Sequence, residues 1–245
     1  QKIEDELSAI FPNARILRMD ADSTMGRYSH ENKLKDFSDG KYDILLGTQM
    51  VAKGLDFENV TLVGVINADQ QLNNDDFRSQ ERTFDLLTQV VGRAGRGKYE
   101  GTAVIQTCNP ENDVIQIAAR QDYDTFFNDE LKTRKMLIYP PYCDICLVGF
   151  VGENEAKVRS ASQKFTDMLK KELISNYSDQ KIIALGPMTA RVSKISNKFR
   201  YRLILKCKNS KRFRALMSDL LKKVGSDRVF GDVSVYIDIN PENII

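Results

Sequence analysis

The chain has 245 residues, of which 42% are hydrophobic and 29% charged, a balance that marks a globular protein and excludes a disordered or low-complexity one. Its formal net charge is +2, and its apolar runs, residues 60–66 among them, are far below the roughly 18 residues that a membrane-spanning helix needs. Four cysteines without a paired framework fit a reducing cytoplasm, and the length suits two cores of about 100–130 residues each.

Taken in order, the N-terminal part alternates helix and strand. Ile3, Leu7, Ile10 and Phe11 recur at helical spacing, residues 14–19 read as a strand, and residues 29–37 read as a helix stopped by Gly40. Asp20 and Asp22 read as turn and N-cap residues, and His30, the only histidine, as a solvated residue at a polar helix start. Residues 42–46 and 60–66 are apolar strands of the kind buried between helices in a parallel sheet. A helix is predicted over 77–91 with Asp75 or Asp76 as its N-cap, then a strand over 102–107. The expected architecture is an α/β layer with functional loops at the carboxyl ends of its strands.

Residues 112–131 read as one or two helices. Pro140 and Pro141 can continue neither a helix nor a central strand, so the chain is divided near 134–142 into domains 1–132 and 133–245. The second domain is expected to hold a strand over 143–151, a helix over 154–174 and a strand over 181–185. A β-hairpin with a polar turn over 191–207, a helix over 210–224 closed by Gly225, and a final strand over 233–239 complete it. This order predicts a smaller α+β domain of split β-α-β type with its helices on one face.

Charge is unevenly placed between the two. Residues 1–132 carry 15 Lys+Arg against 23 Asp+Glu, a net of −8; residues 133–245 carry 21 against 11, a net of +10, and together these give the overall +2. Within the basic part, positions 191–214 hold ten Lys or Arg residues and no acid. Arg191, Lys194, Lys198, Arg200 and Arg202 are its candidate contacts to a polyanion. Strand alternation puts Arg200, Arg202, Ile204 and Lys206 on one face and Tyr201, Leu203 and Leu205 on the other. Tyr201 is thereby assigned to the core, and Phe199, outside the regular strand, to stacking on unpaired bases. A basic solvated face without a specific partner is the alternative. Cys143-x-x-Cys146 has zinc-knuckle spacing, but it lacks a second pair and alternation sends its thiols to opposite faces, so no metal site is expected.

Two segments about forty residues apart carry the chemistry. The first is Gly47-Thr48-Gln49-Met50-Val51-Ala52-Lys53-Gly54-Leu55-Asp56-Phe57, where Gly47 and Gly54 let backbone N–H groups approach a phosphate closely. The second is Gln89-Val90-Val91-Gly92-Arg93-Ala94-Gly95-Arg96, which sets two permanently charged guanidinium forks three residues apart at a helix end. Taken alone, the first reads equally well as a strand-to-helix turn with Lys53 solvated and Asp56 as a cap. In this order and at this spacing the two resemble motifs V and VI of superfamily 2 helicases. Asp69, Asp76-Phe77-Arg78-Ser79, Glu81-Arg82-Thr83-Phe84, Tyr139-Pro140-Pro141-Tyr142 and Leu185-Gly186-Pro187 extend the match. With them, nearly the whole chain resembles the bacterial primosomal protein N′ (PriA) family.

That resemblance implies a RecA-like second motor lobe with a parallel sheet, then a C-terminal domain. The implied parent is an ATP-dependent 3′→5′ DNA helicase that remodels stalled replication forks and promotes primosome assembly. Thr48 would hold the DNA backbone, Gly54 and Asp56 would face the nucleotide, and Gln89 would couple the two. Arg96 would be the finger on the γ-phosphate, with Arg93 assisting. Lys53 and Arg78 are further DNA candidates; Arg78 and Arg82 face either DNA or an ion-paired surface with Glu81 and Asp85. The implied cofactors are ATP and Mg²⁺, shared with a first lobe, since the sequence has no Gly-x-x-x-x-Gly-Lys-Ser/Thr run. Zinc is implied only for a cysteine-rich insertion upstream. The implied partners are single-stranded and forked DNA, the C-terminal tail of single-stranded DNA-binding protein, and other primosome proteins. No membrane is implied, and the expected location is the bacterial cytoplasm at the nucleoid. Residue 1 is not Met, so the chain reads as a piece of a longer protein, inactive as an ATPase by itself. Two other classes stand beside this one: a non-enzymatic DNA- or protein-binding module, and a RecG-like branch-migration translocase.

Overall fold

The computed structural model describes residues 2–19, 27–48, 57, 59–92 and 100–244, without the side chains of 27–30. It divides into two packed units. Unit 1 comprises Gln1–Asn74 and Arg78–Phe127; unit 2 comprises Asp75–Phe77 and Asn128–Ile245.

In unit 1, α1 (Lys2–Ile10) leads into β1 (Ile16–Met19), and α2 (Arg27–Ser38) into β2 (Ile44–Gly47). β1 and β2 pair in parallel, with Ile16 opposite Ile44 and Met19 opposite Gly47. Arg15 and Asp43 stand just before the two strands and secure that register. The Asp43 carboxylate accepts the Arg15 backbone N–H at 2.8 Å and its guanidinium Nε and Nη2 at 2.9 Å. These bonds hold the Asp43 carboxyl well below the usual carboxylate range.

A second parallel pair joins β3 (Leu62–Val65) to β4 (Thr102–Ile105), with Leu62 opposite Thr102. The helices of this part are α3 (Asp69–Leu72), α4 (Ser79–Val91), α5 (Asp113–Ala119) and the start of α6 (Tyr123–Leu137). Thr83, Phe84, Leu87 and Val90 of α4 recur at helical spacing and are buried. Phe84 and Leu87 join a core that includes Val114, Ile117, Ala118 and Phe126, where Phe84 stacks on Phe126 at 4.1 Å between centroids.

Unit 1 corrects three expectations. Among the described residues the strands form two separate pairs rather than one sheet. The strand read over 60–66 is not buried on both faces, since Val65 packs on the helical core whereas Leu62 is 65% exposed. The described helices cover only one face of this pair, so its residues alternate. Finally, α4 begins at Ser79, with Arg78 in the N-cap position and no side-chain cap. Neither Asp75 nor Asp76 serves there; Asp76 instead accepts the backbone N–H of Ile244.

In unit 2 the elements run β5 (Asp144–Gly152), α7 (Glu155–Ser175), β6 (Ile183–Ile195), β7 (Lys198–Cys207), α8 (Lys211–Ser226) and β8 (Ser234–Ile239). The sheet order is β6-β7-β5-β8, with every neighbouring pair antiparallel. Asn154 caps α7 by accepting the Lys157 N–H, and Ser210 caps α8 by accepting the Phe213 N–H. Both helices lie on one face, where Val158, Phe165 and Leu169 of α7 and Phe213, Leu216 and Leu220 of α8 pack on Val148, Phe150, Leu203 and Leu205. The opposite face is also covered. Ile145, Leu147, Ile204 and Ile244 cluster there with Phe77, Tyr139, Cys143 and Leu185.

Two readings change here. Residues 183–185 of the strand read over 181–185 and the first half of the hairpin belong to one strand, β6, which runs through Pro187 with breaks in register after Leu185 and Thr189. Gly186, at φ +107°, and Pro187, which has no N–H to give the ladder, are tolerated because the irregularity falls on the outer strand. Gly225 does not close α8, which runs to Ser226 and is capped by Asp227. The hairpin turn itself is the two residues Ser196 and Asn197, at φ +48° and +63°, a left-handed pair suited to the twist of its strands.

Candidate nucleotide and nucleic-acid sites

In unit 1 three of the candidates, Thr48, Arg78 and Gln89, lie among the described residues. Gly47 closes β2 opposite Met19, and Thr48 follows it with its side chain exposed. Gln89 is exposed on the last turn of α4, because Leu87 and Val90 take the buried face. Lys53, Gly54, Asp56, Arg93 and Arg96 lie outside the described residues, as do Asp20, Asp22 and the side chain of His30. Arg78 and Arg82 are half-buried near the start of α4, each with partners among its neighbours. On the same helix, burial and then the Glu81 charge push the Asp85 carboxyl up.

Asp69 is fully engaged within the fold. Its carboxylate accepts the Thr107 hydroxyl and the Cys108 N–H, both at 2.8 Å. The Cys108 N–H first, and then the Thr107 hydroxyl, hold its carboxyl below the usual range. Since Asp69 follows β3 and Thr107 follows β4, the two bonds tie together the carboxyl ends of that pair. This is support for the loops rather than chemistry in them.

In unit 2 the basic stretch separates into two populations. Arg191, Lys194 and Lys198 are exposed on the β6–β7 hairpin and Arg200 is half-buried beside them. Arg202 and Lys206, further along β7, are engaged within the fold. Arg202 donates to the Ile244 carbonyl, while Lys206, only 8% exposed, donates to the Leu137 carbonyl at 2.6 Å and lies 3.6 Å from the Tyr139 ring centroid. Burial pushes the Lys206 ammonium below its ordinary pKa. Arg202, a sequence candidate for DNA, is thus committed to the fold. Phe199 also differs from its reading. It lies inside β7, opposite Gly152 and Lys194, on the face of Tyr201 and the helical core, with the Lys194 ammonium 4.7 Å from its ring centroid.

The thiols occupy opposite faces of the sheet. Cys146 and Cys207 are in the core under the helices, where burial pushes both up to about 12, and Cys143 packs on the far side. Among the described residues, no group of three or more His, Cys, Asp or Glu side chains could hold a metal ion, and no helix is long and apolar enough to cross a membrane.

The cluster that sequence reasoning missed is Asp76, Phe77, Arg134, Tyr139 and Lys206. Phe77 and Tyr139 stack at 5.0 Å with an interplanar angle of 5°. Asp76 and Phe77 were read only as helix start and family wording. The one available signal was Lys206 itself, a cation placed by alternation beside Ile204 on a face that then needs a partner for it.

Residues 2–98 match the helicase conserved C-terminal domain, and residues 135–242 the primosomal protein N C-terminal domain. The chain is similar to the replication restart protein PriA of Bacillus subtilis (strain 168), at 43% identity over 241 residues covering 98% of this chain and 29% of that protein. It is 37% identical to replication restart protein PriA from a Synechocystis strain, over 100% of this chain and 28% of the relative. The same identity relates it to replication restart protein PriA of Borreliella burgdorferi, over 100% of this chain and 36% of the relative. The chain therefore spans about a third of the length of these relatives.

Proposed function

From a chain that belongs to the PriA family, we propose that it supplies the second motor lobe and the C-terminal domain of an ATP-dependent 3′→5′ superfamily 2 DNA helicase. In that reading the parent remodels stalled replication forks and promotes primosome assembly, in the cytoplasm of a bacterium. The RecA-like lobe is assigned to residues 1–132 and a split β-α-β module to residues 133–245. The observation that supports it best is the order of two domain matches, a helicase one and then a primosomal one, along one chain. The exposed cations of the β6–β7 hairpin lie within the second match.

The proposed division of labour follows from charge. Phosphoryl transfer builds negative charge on the equatorial oxygens of the γ-phosphate, and a guanidinium brought to them stabilises it. Arg96 takes that role, Arg93 assists, and Gln89, on the exposed side of the end of α4, links nucleotide to cleft. Thr48 holds a DNA phosphate with Lys53 nearby, while Gly54 and Asp56 of the same loop face the nucleotide, so one loop senses both. Arg191, Lys194, Lys198 and Arg200 supply sequence-independent affinity for single-stranded or forked DNA, and the same cations suit the acidic tail of single-stranded DNA-binding protein. Mg²⁺ would neutralise nucleotide charge when bound, and its ligands are assigned to a first lobe. The 245 residues alone are then inactive as an ATPase.

The test uses the full-length parent. Arg96→Ala is expected to lower DNA-stimulated kcat by roughly 10³-fold or more while ATP binding persists. Near-wild-type turnover would remove Arg96 from the finger role. Wild-type protein that hydrolyses ATP equally with and without DNA would remove the helicase reading itself.

A further inference from the structure

No Asp or Glu occurs between Lys181 and Ser218, a run of 38 residues that holds 11 Lys or Arg. The run contains β6, the outer strand of the unit 2 sheet, its neighbour β7, and the first half of α8. Acids are frequent in the rest of the chain, which has 34 of them in all, so one edge of this sheet lacks any negative side chain of its own. The cations divide by place. Arg202 and Lys206 are engaged within the fold, and Arg212 pairs with Asp179 at 3.2 Å. Arg191, Lys194, Lys198 and Arg200 lie around the hairpin turn, and Lys181, Lys208, Lys211 and Arg214 gather at the other end of the same strands. Ile183 is opposite Lys206, which places Lys181 and Lys208, two residues further out on each side, at one end of the pair. The Ser210 hydroxyl, which caps α8, donates to the Gln180 side chain at 3.3 Å and so sets the start of that helix beside them.

All four of this second group are exposed, and among the described residues none of them is in an ion pair. One further carboxylate lies close, Asp144, which accepts the Asn209 N–H at 2.7 Å and the Asn240 amide at 2.9 Å. Lys211 and Arg214 stand in a first helical turn that has no acid, against the positive end of the helix dipole. Fold stability does not account for them there. The distance between the two groups is set by one element, because β7 pairs with β5 from Phe199 to Cys207 without a break in register. At about 3.3 Å per residue, Lys198 and Lys208 stand about 33 Å apart. One turn of B-form DNA is about 34 Å, after which a phosphate strand returns to the same side of the duplex. A flexible acidic peptide would have to be held extended to reach both groups, at an entropic cost that a stiff duplex does not bear.

We infer that Lys181, Lys208, Lys211 and Arg214 form a second phosphate-contact site, and that one DNA duplex lies along the acid-free edge of the sheet, touching this site and the hairpin at once. The inference rests on the proposed affinity of the hairpin for DNA. It extends that reading by a site and by the form of the ligand, a duplex longer than one turn.

The test is fluorescence anisotropy of the 245-residue chain with labelled duplexes of about 8 and about 20 base pairs, shorter and longer than the separation of the two sites. In wild type the slope of log K against log salt is expected to be steeper for the long duplex by about 3, at roughly 0.9 for each added phosphate contact. Replacing all four cations by Ala removes that difference. Affinity for the long duplex then falls about tenfold near 0.1 M salt, and affinity for the short one stays within about twofold. The pair Lys208→Ala and Lys211→Ala gives about half the change in slope and serves where the fourfold variant fails to fold, which its urea midpoint reports. Equal losses on the two duplexes, or none on either, overturn the inference. So does an oligoglutamate peptide that binds wild type and not the variant while duplex binding is unchanged, since the site then belongs to an acidic protein. Wild-type protein that binds neither duplex overturns the hairpin reading as well, whereas short-duplex binding without a gain on lengthening overturns the second site alone.

Discussion

Lys198 and Lys206 stand eight residues apart on one strand, yet the first is exposed and the second is buried over an aromatic ring. Side-chain chemistry is the same in both, so position on the sheet decides which attracts a polyanion and which supports the fold. The cysteines show the same dependence. Cys108 is exposed, whereas Cys146 and Cys207 are buried and their thiols are pushed up to about 12. Raised in this way, the buried thiols stay protonated near neutral pH, and the thiolate is the nucleophile. Iodoacetamide is therefore expected to alkylate Cys108 first in the native protein, and Cys146 and Cys207 only after unfolding. Peptide mapping of a time course checks this, and early labelling of Cys146 or Cys207 would contradict the packed core. The local environment of Cys146 was legible in part, since strand alternation sent it to the face opposite Cys143. Its burial was not, because that depends on α7 and α8 closing over it.

At the scale of elements, helices were readable from periodicity and their caps were not. The amphipathic helix read over 154–174 is α7, whereas the caps read at Asp75 or Asp76 and at Gly225 fall instead at Arg78 and Asp227. The length of β6 was not readable, because Gly186 and Pro187 end most strands and are tolerated in this one as an irregularity of an edge. A comparable hidden constraint sits at the pair Gly149 and Tyr236 on β5 and β8. A methyl group at Gly149 would overlap the Tyr236 ring, which lies across the glycine. Gly149→Ala is expected to destabilise by about 1–3 kcal/mol, since the ring must turn away and lose its cross-strand contact. Tyr236→Ala alone loses that contact too, but the double variant is expected to be less destabilised than the two losses added. Urea unfolding of all four proteins measures the cycle; simple additivity would mean that ring and glycine do not meet.

For the whole molecule, the division into a net −8 and a net +10 portion separates placed phosphate contacts from diffuse attraction. If the hairpin cations carry the attraction, oligonucleotide affinity of the 245-residue chain falls steeply with salt. Replacing Arg191, Lys194 and Lys198 by Ala is expected to flatten the slope of log K against log salt by about 2, at roughly 0.7 for each single-strand phosphate released. Fluorescence anisotropy at four or more salt concentrations reads that slope. An unchanged slope would move the DNA away from the hairpin. Arg202→Ala, in contrast, is expected to act through stability, since its guanidinium is already committed to the Ile244 carbonyl.

The sequence by itself determined the family, the order of helices and strands in outline, the two motif segments and the charge asymmetry. All of these are properties of residue type and spacing along the chain, so neighbours within a few turns suffice to express them. Only the tertiary structure decided which cations of 191–214 face outward, that Phe199 joins a strand over the core, and that Asp76 and Phe77 pack on the second face of the C-terminal sheet. Those outcomes rest on contacts across long stretches of chain, as when Asp76 meets Ile244 168 positions away. Burying such groups is favourable only where distant segments bring a carbonyl, an N–H or a ring to meet them, and no local pattern records that meeting.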